Sequence, residues 1–299
     1  MTDNEKYNKI VQAWKSKEIT DIFDLEVALS NFRTVFAYHS GAIENPEITY
    51  HATREIFENG KVINFTGDIR TIFEIQNQKN CYEWLKNKII QKEPITPELI
   101  KKIHKQLTEG TYDERRYARG ERPGEYKKHD YVVGNDQGAL PEEVASEIEE
   151  LCDELHDIPD KGDNIIKTAA YLHCKFENTH PFADGNGRVG RTLMNYYLMT
   201  HDHPPIIVRN ETKDVYYKAL DVYDNTGELD DFVSYMKEAT IETWKEPRQV
   251  KKTLKDYIEK NPMAEEPFDD VLKDAREQAD RINGQVQEKR KEKDREQER

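Results

Sequence analysis

The chain has 299 residues and a formal net charge of −14, with 45 basic against 59 acidic residues. This charge argues against a broadly basic nucleic-acid-binding surface, although it leaves room for a local basic groove. The start MTDNEKYNK has no signal-peptide pattern, and no apolar run approaches the roughly 20 residues of a membrane span, so we expect a cytoplasmic protein. The cysteines lack metal-type spacing and are expected to be reduced core residues: Cys81, Cys152 and Cys174.

Apolar residues at helical spacing predict a mostly helical chain. The first amphipathic stretch is predicted as one helix up to Asn45-Pro46, with an apolar face formed by Ile22, Leu25, Leu29, Phe32 and Phe36. Similar patterns predict helices at residues 72–82, 97–107, 144–155, 165–176, 189–197, 212–223 and 229–244. Thr96 with Pro97 is expected to start one of these helices, and Asp163 another.

An irregular insertion, RPGEYKKHDYVVG at residues 122–134, interrupts the helical patterns. Aromatic and β-branched residues cluster there between two glycines, which predicts a short β-hairpin. From these residues alone, an ordinary surface hairpin is the expected role.

The segment HPFADGNGRVGR, residues 180–191, carries the chemistry. Pro181 is expected to end the preceding helix, which puts His180 at a helix edge as a candidate general base. The glycine-rich stretch Gly185-Asn186-Gly187 can turn successive backbone N–H groups toward one point, and a second helix is expected to begin there. The predicted anion cradle therefore coincides with a helix N-terminus, which favours phosphate.

Three charged side chains complete this predicted phosphate site. Arg188 and Arg191 lie three residues apart on the first helical turn, where planar guanidinium groups can grip neighbouring phosphates. Asp184 is the carboxylate of the loop, and we interpret it as a ligand for Mg²⁺ bridging phosphate oxygens. The same segment fits the dinucleotide fingerprint GxGxxG, but that fingerprint needs a preceding buried strand, and no GxxxxGK[ST] pattern supports a P-loop.

The segment HPFADGNGRVGR resembles the HxFxDGNGRxxR signature of the Fic (filamentation induced by cyclic AMP) family at every fixed position. The resemblance implies an all-α fold and transfer of AMP from ATP to a hydroxyl side chain of a target protein. It makes His180 the base that deprotonates the hydroxyl and Asp184 the ligand of Mg²⁺, which Mn²⁺ could replace. Further implied roles are the anion hole (Gly185, Asn186 and Gly187), a phosphate contact (Arg188), a clamp on the γ-phosphate (Arg191) and an anchor of the loop in the core (Phe182).

A second segment, Ser40-Gly41-Ala42-Ile43-Glu44-Asn45, is similar to the inhibitory pattern [ST]xxxE[GN] of this family. The resemblance implies an ion pair between Glu44 and Arg191 that takes the space of the γ-phosphate. Because the segment precedes the motif, the chain resembles the subclass with an N-terminal inhibitory helix, here at about residues 38–46. Without the resemblance, SxxxEN is more typical of a helix end with an exposed glutamate.

The resemblance also implies roles for the insertion and for the segment after the motif. The hairpin, at about residues 122–136, would be a flap whose edge pairs with the target, with Tyr131, Val132 and Val133 as flap residues. Asn210 and Tyr217 are candidates for the adenine pocket. The domain layout is then an N-terminal extension at residues 1–19, a Fic domain at 20–245 and a charged helical tail at 246–299, whose end at 287–299 is expected to be disordered. No DNA-binding module is evident in the tail.

The sequence thus predicts an autoinhibited protein adenylyltransferase that uses ATP and a target with a Ser, Thr or Tyr hydroxyl, and that could also modify itself. Two alternatives stay open. One is removal of AMP from a modified protein at the same site, with Glu44 acting on a water molecule. The other is a non-catalytic nucleotide-binding interaction module. The target and the oligomeric state, including a homo-oligomer, are not determined by these residues.

Overall fold

A computed structural model describes residues 2–63, 65–133, 136–158 and 164–245, with backbone only at 132–133 and 136–137. Asp163 and the tail at residues 246–299 lie outside the described residues, so the predictions made for them are not compared here. The described helices are α1 (Asp3–Lys15), α2 (Ile22–Leu29), α3 (Phe32–Glu44), α4 (Tyr50–Asn59), α5 (Ile69–Ile90), α6 (Pro97–Thr108), α7 (Glu114–Ala118), α8 (Val144–Asp157), α9 (Asn164–Thr179), α10 (Asn186–Thr200), α11 (Lys213–Thr226) and α12 (Asp230–Trp244).

Helix α10 is the central element of this all-α fold. Almost all of its residues are buried, including polar ones such as Arg188 and Asn195, so it reads as a core helix rather than an amphipathic surface helix. It packs against α9 and is also contacted by α3, α5 and α6. The N-terminal end of α10 therefore lies where several helices converge.

Local sequence signals fix the helix ends around this centre. The Thr96 side chain accepts a hydrogen bond from the Leu99 amide at 3.2 Å, and Pro97 occupies the first turn of α6, which confirms the predicted start. Helix α9 ends at Thr179, two residues before Pro181, as predicted. The loop between α9 and α10 is consequently short and closely bounded.

The prediction of a single helix across residues 22–36 is wrong. Helices α2 and α3 are separate and are divided at Ser30 and Asn31. Neither residue type favours a helix interior, since its side chain competes for backbone hydrogen bonds. The break lets α2 pack on α5 while α3 contacts α4, α5 and α10. One consequence is that Ile22 is 36% exposed instead of lying on a shared apolar face.

The N-terminal helix α1 packs against α12. The Tyr7 hydroxyl lies 2.7 Å from Nε2 of His203, and the rings of Trp14 and Trp244 meet edge to face with centroids 5.1 Å apart. Residues predicted as an N-terminal extension therefore form part of the same compact unit as the helices that follow.

A short antiparallel strand pair lies in the insertion between α7 and α8. Strand β1 (Val132–Val133) pairs with β2 (Asp136–Gln137) in the register Val132 to Gln137 and Val133 to Asp136. Elsewhere in the described ranges, the cysteines are buried and unpaired. No helix in the described part of the chain is long and apolar enough to cross a membrane.

Candidate active site

The loop between α9 and α10 is held in one conformation by its own side chains. Asn186 accepts a hydrogen bond from the Phe182 amide at 2.9 Å and donates one to the Phe182 carbonyl at 2.7 Å. The Phe182 ring is fully buried and stacks on His104 with centroids 3.7 Å apart. The Asn186 side chain thus braces the loop, and its contribution to an anion site is left to its backbone amide.

His104 of α6 also holds this loop through hydrogen bonds. Its Nδ1 accepts a hydrogen bond from the Gly124 amide at 2.8 Å, so its Nε2 carries the proton and donates to the Asp184 carbonyl at 3.0 Å. Burial lowers the pKa of His104 to about 3, which keeps the ring neutral. This histidine is a structural support that links the loop to the insertion.

The start of α10 leaves backbone amides available to an anion. Gly185 has φ of 84°, and a β carbon there would lie 2.7 Å from Cγ2 of Thr108, so glycine is required on both grounds. The first helical hydrogen bond runs from the Val189 amide to the Gly185 carbonyl at 3.0 Å. The preceding amides of the helix have no carbonyl partner in the helix, which is the arrangement that the predicted anion cradle requires.

Asp184 lies among three guanidinium groups from three helices. Its carboxylate oxygens are 2.9 Å from Arg70, 3.2 Å from Arg116 and 3.5 Å from Arg188. Burial alone would raise the pKa of Asp184, but these arginines lower it on balance, so the carboxylate is ionised. No cluster of three metal-ligating side chains occurs among the described residues. A lone ionised carboxylate fits a Mg²⁺ ion that takes most of its other ligands from phosphates and water.

A buried carboxylate, Glu74 of α5, holds Arg188 in place. Oε1 of Glu74 accepts from Arg188 at 3.1 Å, and both side chains are 3% exposed. The same carboxylate accepts hydrogen bonds from the Arg70 guanidinium at 3.1 Å and from the side-chain amide of Asn45 at 2.8 Å. Several hydrogen bonds to charged groups therefore offset the cost of burying this pair.

His180 sits just beyond the C-terminal end of α9, with φ of 49°. Burial, and to a smaller extent the positive charge of Lys127, lower its pKa to about 4 against opposing effects of the Glu177 backbone, Glu44 and Asp184. A neutral imidazole at neutral pH is the state that can accept a proton.

Backbone hydrogen bonds tie both sides of the insertion to the residues flanking His180. The Lys127 amide donates to the Pro181 carbonyl at 2.9 Å, and the Ala139 amide donates to the Thr179 carbonyl at 3.0 Å. The strand pair β1–β2 therefore projects from a base that is fixed beside His180.

Arg191 is bound by the C-terminal end of α3. Its side chain is 1% exposed and donates to the Ser40 hydroxyl at 3.1 Å, to the Ser40 carbonyl at 2.8 Å and to the Glu44 carboxylate at 2.8 Å. Ser40 and Glu44 are one turn apart on α3, which lets both face the same guanidinium.

Gly187 makes room for this ion pair. A β carbon at Gly187 would collide with Oε1 of Glu44 and would lie 2.9 Å from Arg191. The Glu44 carboxylate thus lies directly against the anion loop, where a phosphate bound at the helix N-terminus would bring a like charge.

A second buried group of polar side chains lies on the other side of Arg191. The His173 ring bonds the Tyr216 hydroxyl at 2.8 Å, and burial lowers the pKa of His173 to about 3. Oε1 of Glu177 is buried without a hydrogen-bond partner among the described residues, beside Gly190, and burial raises the pKa of Glu177 to about 8. Glu177 is therefore protonated at neutral pH.

The adenine-pocket candidates lie near α3. Asn210 starts a single 3-10 turn at Asn210–Thr212, its amide donates to His39 at 3.3 Å, and its Oδ1 is buried without a partner among the described residues. Tyr217 is 40% exposed at the start of α11. The charges of Glu44 and Arg191 affect the pKa of Tyr217, which burial raises to about 12.

The flap candidates are partly described. The Tyr131 hydroxyl donates to Glu121 at 3.0 Å, and the Arg119 guanidinium lies 5.2 Å from the centre of its ring. The Tyr131 side chain thus contacts the short segment between α7 and the insertion. For Val132 and Val133 only the strand pairing of the backbone is described.

Reasoning from the sequence missed several residues that surround the site: Arg70, Glu74, His104, Arg116, Lys127, Glu177 and Tyr216. A signal was available for two of them, since Arg70 and Glu74 have the i, i+4 spacing of an ion pair within a helix. His104 follows Ile100 and Ile103 on the apolar face of α6, where a polar residue needs a partner.

The fold and site define an all-α protein in which a loop between two buried helices brings amide groups and arginines to one point, an arrangement suited to an anion. Residues 94–198 match the model of the Fic/DOC family. The chain therefore belongs to the Fic/DOC family through this domain.

The similar proteins include named adenylyltransferases. The chain is 31% identical to the protein adenylyltransferase fic-1 of Caenorhabditis briggsae over 215 residues, covering 70% of this chain and 41% of the relative. It is 30% identical over 207 residues to the protein adenylyltransferase Fic of Nematostella vectensis, covering 69% and 46%. This chain thus spans less than half the length of these curated relatives.

Solved structures share the fold. A structure of Fic-1 from C. elegans superposes with a TM-score of 0.65 at 26% identity, covering 81% of this chain and 70% of that chain. A Fic-domain signalling protein from Bacteroides thetaiotaomicron gives a TM-score of 0.67 at 23% identity, covering 80% and 93%.

Proposed function

We propose that this protein transfers AMP from ATP to a hydroxyl side chain of a target protein and that Glu44 restrains the reaction. The observation that carries the proposal is the Glu44–Arg191 ion pair of 2.8 Å beside the N-terminus of α10. The carboxylate of Glu44 and the γ-phosphate of ATP would compete for the guanidinium of Arg191. The adenylyltransferase relatives support the choice of ATP as the substrate.

In this proposal, neutral His180 takes the proton of the target hydroxyl as its oxygen attacks the α-phosphate. The amides at the start of α10, with Arg188, stabilise the negative charge on the phosphates. Asp184 would hold Mg²⁺, and the ion, when bound, neutralises phosphate charge and orients the pyrophosphate leaving group. Arg70 and Arg116 must loosen their contacts with Asp184 for the carboxylate to serve a metal.

We further propose that the β1–β2 edge, with Tyr131, Val132 and Val133, aligns an extended segment of the target beside His180. Asn210 and Tyr217 are proposed to line the adenine pocket, since both lie on the Glu44 side of the site.

The Fic domain is assigned to residues 20–245, and residues 246–299 remain a proposed charged tail. Cytoplasmic location and self-association are also proposals that await direct measurement.

The test is protein labelling by ATP carrying a radioactive α-phosphate, with Mg²⁺, in wild type, Glu44→Gly and Glu44→Gly/His180→Ala. We expect at least tenfold more labelling in Glu44→Gly than in wild type and none above background in the double variant. Equal labelling in the single and double variants would overturn the role of His180. Absence of labelling in all three, despite ATP binding, would overturn AMP transfer.

A second candidate activity is removal of AMP from a modified protein. The Glu44 side chain is 36% exposed, so its carboxylate can reach a water molecule as well as Arg191. Incubating AMP-modified target with wild type and with Glu44→Gln separates the two activities. Loss of release in Glu44→Gln would favour AMP removal, whereas unchanged release would exclude that role for Glu44.

A further inference from the structure

Lys127 is a buried lysine at the base of the insertion. Its side chain belongs to the buried class at 3% exposure, and its backbone amide is fixed to the Pro181 carbonyl at 2.9 Å. This hydrogen bond puts Lys127 next to the residue that follows His180.

The ammonium group of Lys127 lies close to His180. A β carbon placed on Gly138 would be 3.1 Å from Nζ of Lys127, 2.7 Å from Cβ of His180 and 2.8 Å from the Thr179 carbonyl. These three groups therefore surround a single point beside Cβ of His180. Gly138 leaves that point free, because any side chain there would overlap them.

The Lys127 ammonium makes no hydrogen bond and no ion pair with the residues that the structure describes. Burial lowers the pKa of Lys127 on balance, while the negative charge of Asp130 raises it. Three carboxylates of the site are paired with arginine, namely Glu44 with Arg191, Glu74 with Arg188, and Asp184 with Arg70, and the pKa of Glu177, raised by burial to about 8, leaves that side chain protonated. No described carboxylate of the site is therefore left to pair with the Lys127 ammonium, which is available to an anion that binds beside His180.

We propose that the Lys127 ammonium binds the phosphoryl group that lies against His180, as a second anion-binding element beside the N-terminus of α10. The inference rests on the proposed function, because it takes AMP or the α-phosphate of ATP as the ligand. Lys127 then touches the substrate from the insertion, whereas Arg188 and the amides of the loop belong to α10. The insertion would thereby contribute to phosphate binding and not only to docking of the target.

The pH behaviour of His180 follows from the same geometry. His180 faces Lys127 from the insertion, Glu44 from α3, Asp184 from the loop and the Glu177 carbonyl from α9. Without ligand, the ammonium disfavours a second positive charge on the ring. A bound phosphate offsets the ammonium, so it raises the pKa of His180 and makes the ring a stronger base for the transfer.

The test compares Lys127→Met and Lys127→Arg with Lys128→Met in the Glu44→Gly background. Lys128 is the matched control, since its side chain is 50% exposed and pairs with Glu125 on the surface. AMP binding is measured by calorimetry, and the His180 pKa is measured by NMR titration, with the resonance assigned from His180→Ala. We expect Lys127→Met to weaken AMP binding at least tenfold and to raise the unliganded His180 pKa by about one unit. Lys127→Arg should retain most of the binding, and Lys128→Met should match the parent.

AMP binding in Lys127→Met within twofold of the Lys128→Met control, with an unmoved His180 pKa, would overturn the inference. Neither measurement needs transfer activity. Lysine-dependent AMP binding without any protein labelling would therefore support the role of Lys127 while the proposed transfer fails. Labelling with AMP binding independent of Lys127 would overturn the inference while the proposed transfer stands.

Discussion

Single residues in this site act through charge held away from water. Arg191 is nearly fully buried, yet its carboxylate partner Glu44 is 36% exposed at the mouth of the site. Because the Glu44 carboxylate is partly exposed, an anion from solvent can compete with it for Arg191. Because the Arg191 guanidinium is buried, its position stays the same with either partner. Under the proposed function, the same guanidinium would pair with Glu44 in the restrained state and with a phosphate in the active state.

Glu177 gives a test of charge burial at the residue scale. Its pKa of about 8 in the folded protein, raised by burial, exceeds the ordinary value of 4.5. The folded state therefore holds a proton that the unfolded state loses above pH 4.5, and wild type loses stability as the pH rises toward 8. Glu177→Gln lacks this effect, so its stability relative to wild type should rise by about 3 kcal/mol between pH 5.5 and pH 8.

Urea denaturation of both proteins at the two pH values measures the difference. The control is Glu150→Gln, which replaces an exposed glutamate of α8. A stability difference between Glu177→Gln and wild type that stays constant with pH would show that Glu177 is ionised in the folded protein.

At the scale of elements, α3 is aligned by its contact with α5. The side-chain amide of Asn45, just after α3, donates to the Glu74 carboxylate at 2.8 Å and to the Thr71 hydroxyl at 3.2 Å. Glu74 also accepts a hydrogen bond from Arg188, so one carboxylate connects the C-terminal end of α3 with the first turn of α10. The position of Glu44 thus depends on packing between helices as well as on its own ion pair.

Asn45→Ala should loosen the end of α3. We expect protein labelling above wild type but below Glu44→Gly, together with a stability loss of about 1.5 kcal/mol from the hydrogen bond to a charged, buried partner. The measurements are α-phosphate labelling and urea denaturation. Asn59→Ala is the control, since Asn59 is exposed on α4 and bonds only Glu55 in its own helix. Labelling at the wild-type level in both variants would argue that α3 is positioned without Asn45.

At the scale of the whole molecule, α1 and α12 close the domain on the side of the tryptophan pair. Trp14 is 5% exposed and packs edge to face on Trp244, which also stacks on Phe32 with centroids 6.0 Å apart. Helix α1 is therefore joined through Trp244 to α3, the helix that carries Glu44. Residues outside the Fic/DOC match at 94–198 thus contribute to the core.

Trp14→Ala should destabilise the protein by about 3 kcal/mol, because it removes a large buried side chain and leaves a cavity. Phe23→Ala, at a side chain that is 74% exposed on α2, should change stability by less than about 0.5 kcal/mol. Thermal or urea unfolding compares the two variants. Similar losses in both would contradict the packing of α1 described here.

The sequence by itself determined the features that depend on neighbours along the chain. Pro181 ends α9, Gly185 starts α10 and Thr96 caps α6, because each acts on backbone groups within a few residues. The motif at residues 180–191 was readable for the same reason, since its chemistry is contained in one loop and one helical turn. The break between α2 and α3 was missed because the apolar spacing continues across it.

Tertiary structure alone decided which distant residues meet. Arg191 and Glu44 are 147 positions apart, and no spacing rule links them, so only the family resemblance suggested their pairing. Glu74 meets Arg188 across 114 positions, and Lys127 reaches His180 through the base of an insertion whose sequence pattern is weak. Such contacts depend on how helices pack, because burial and charge complementarity act through space and leave no periodic signal along the chain.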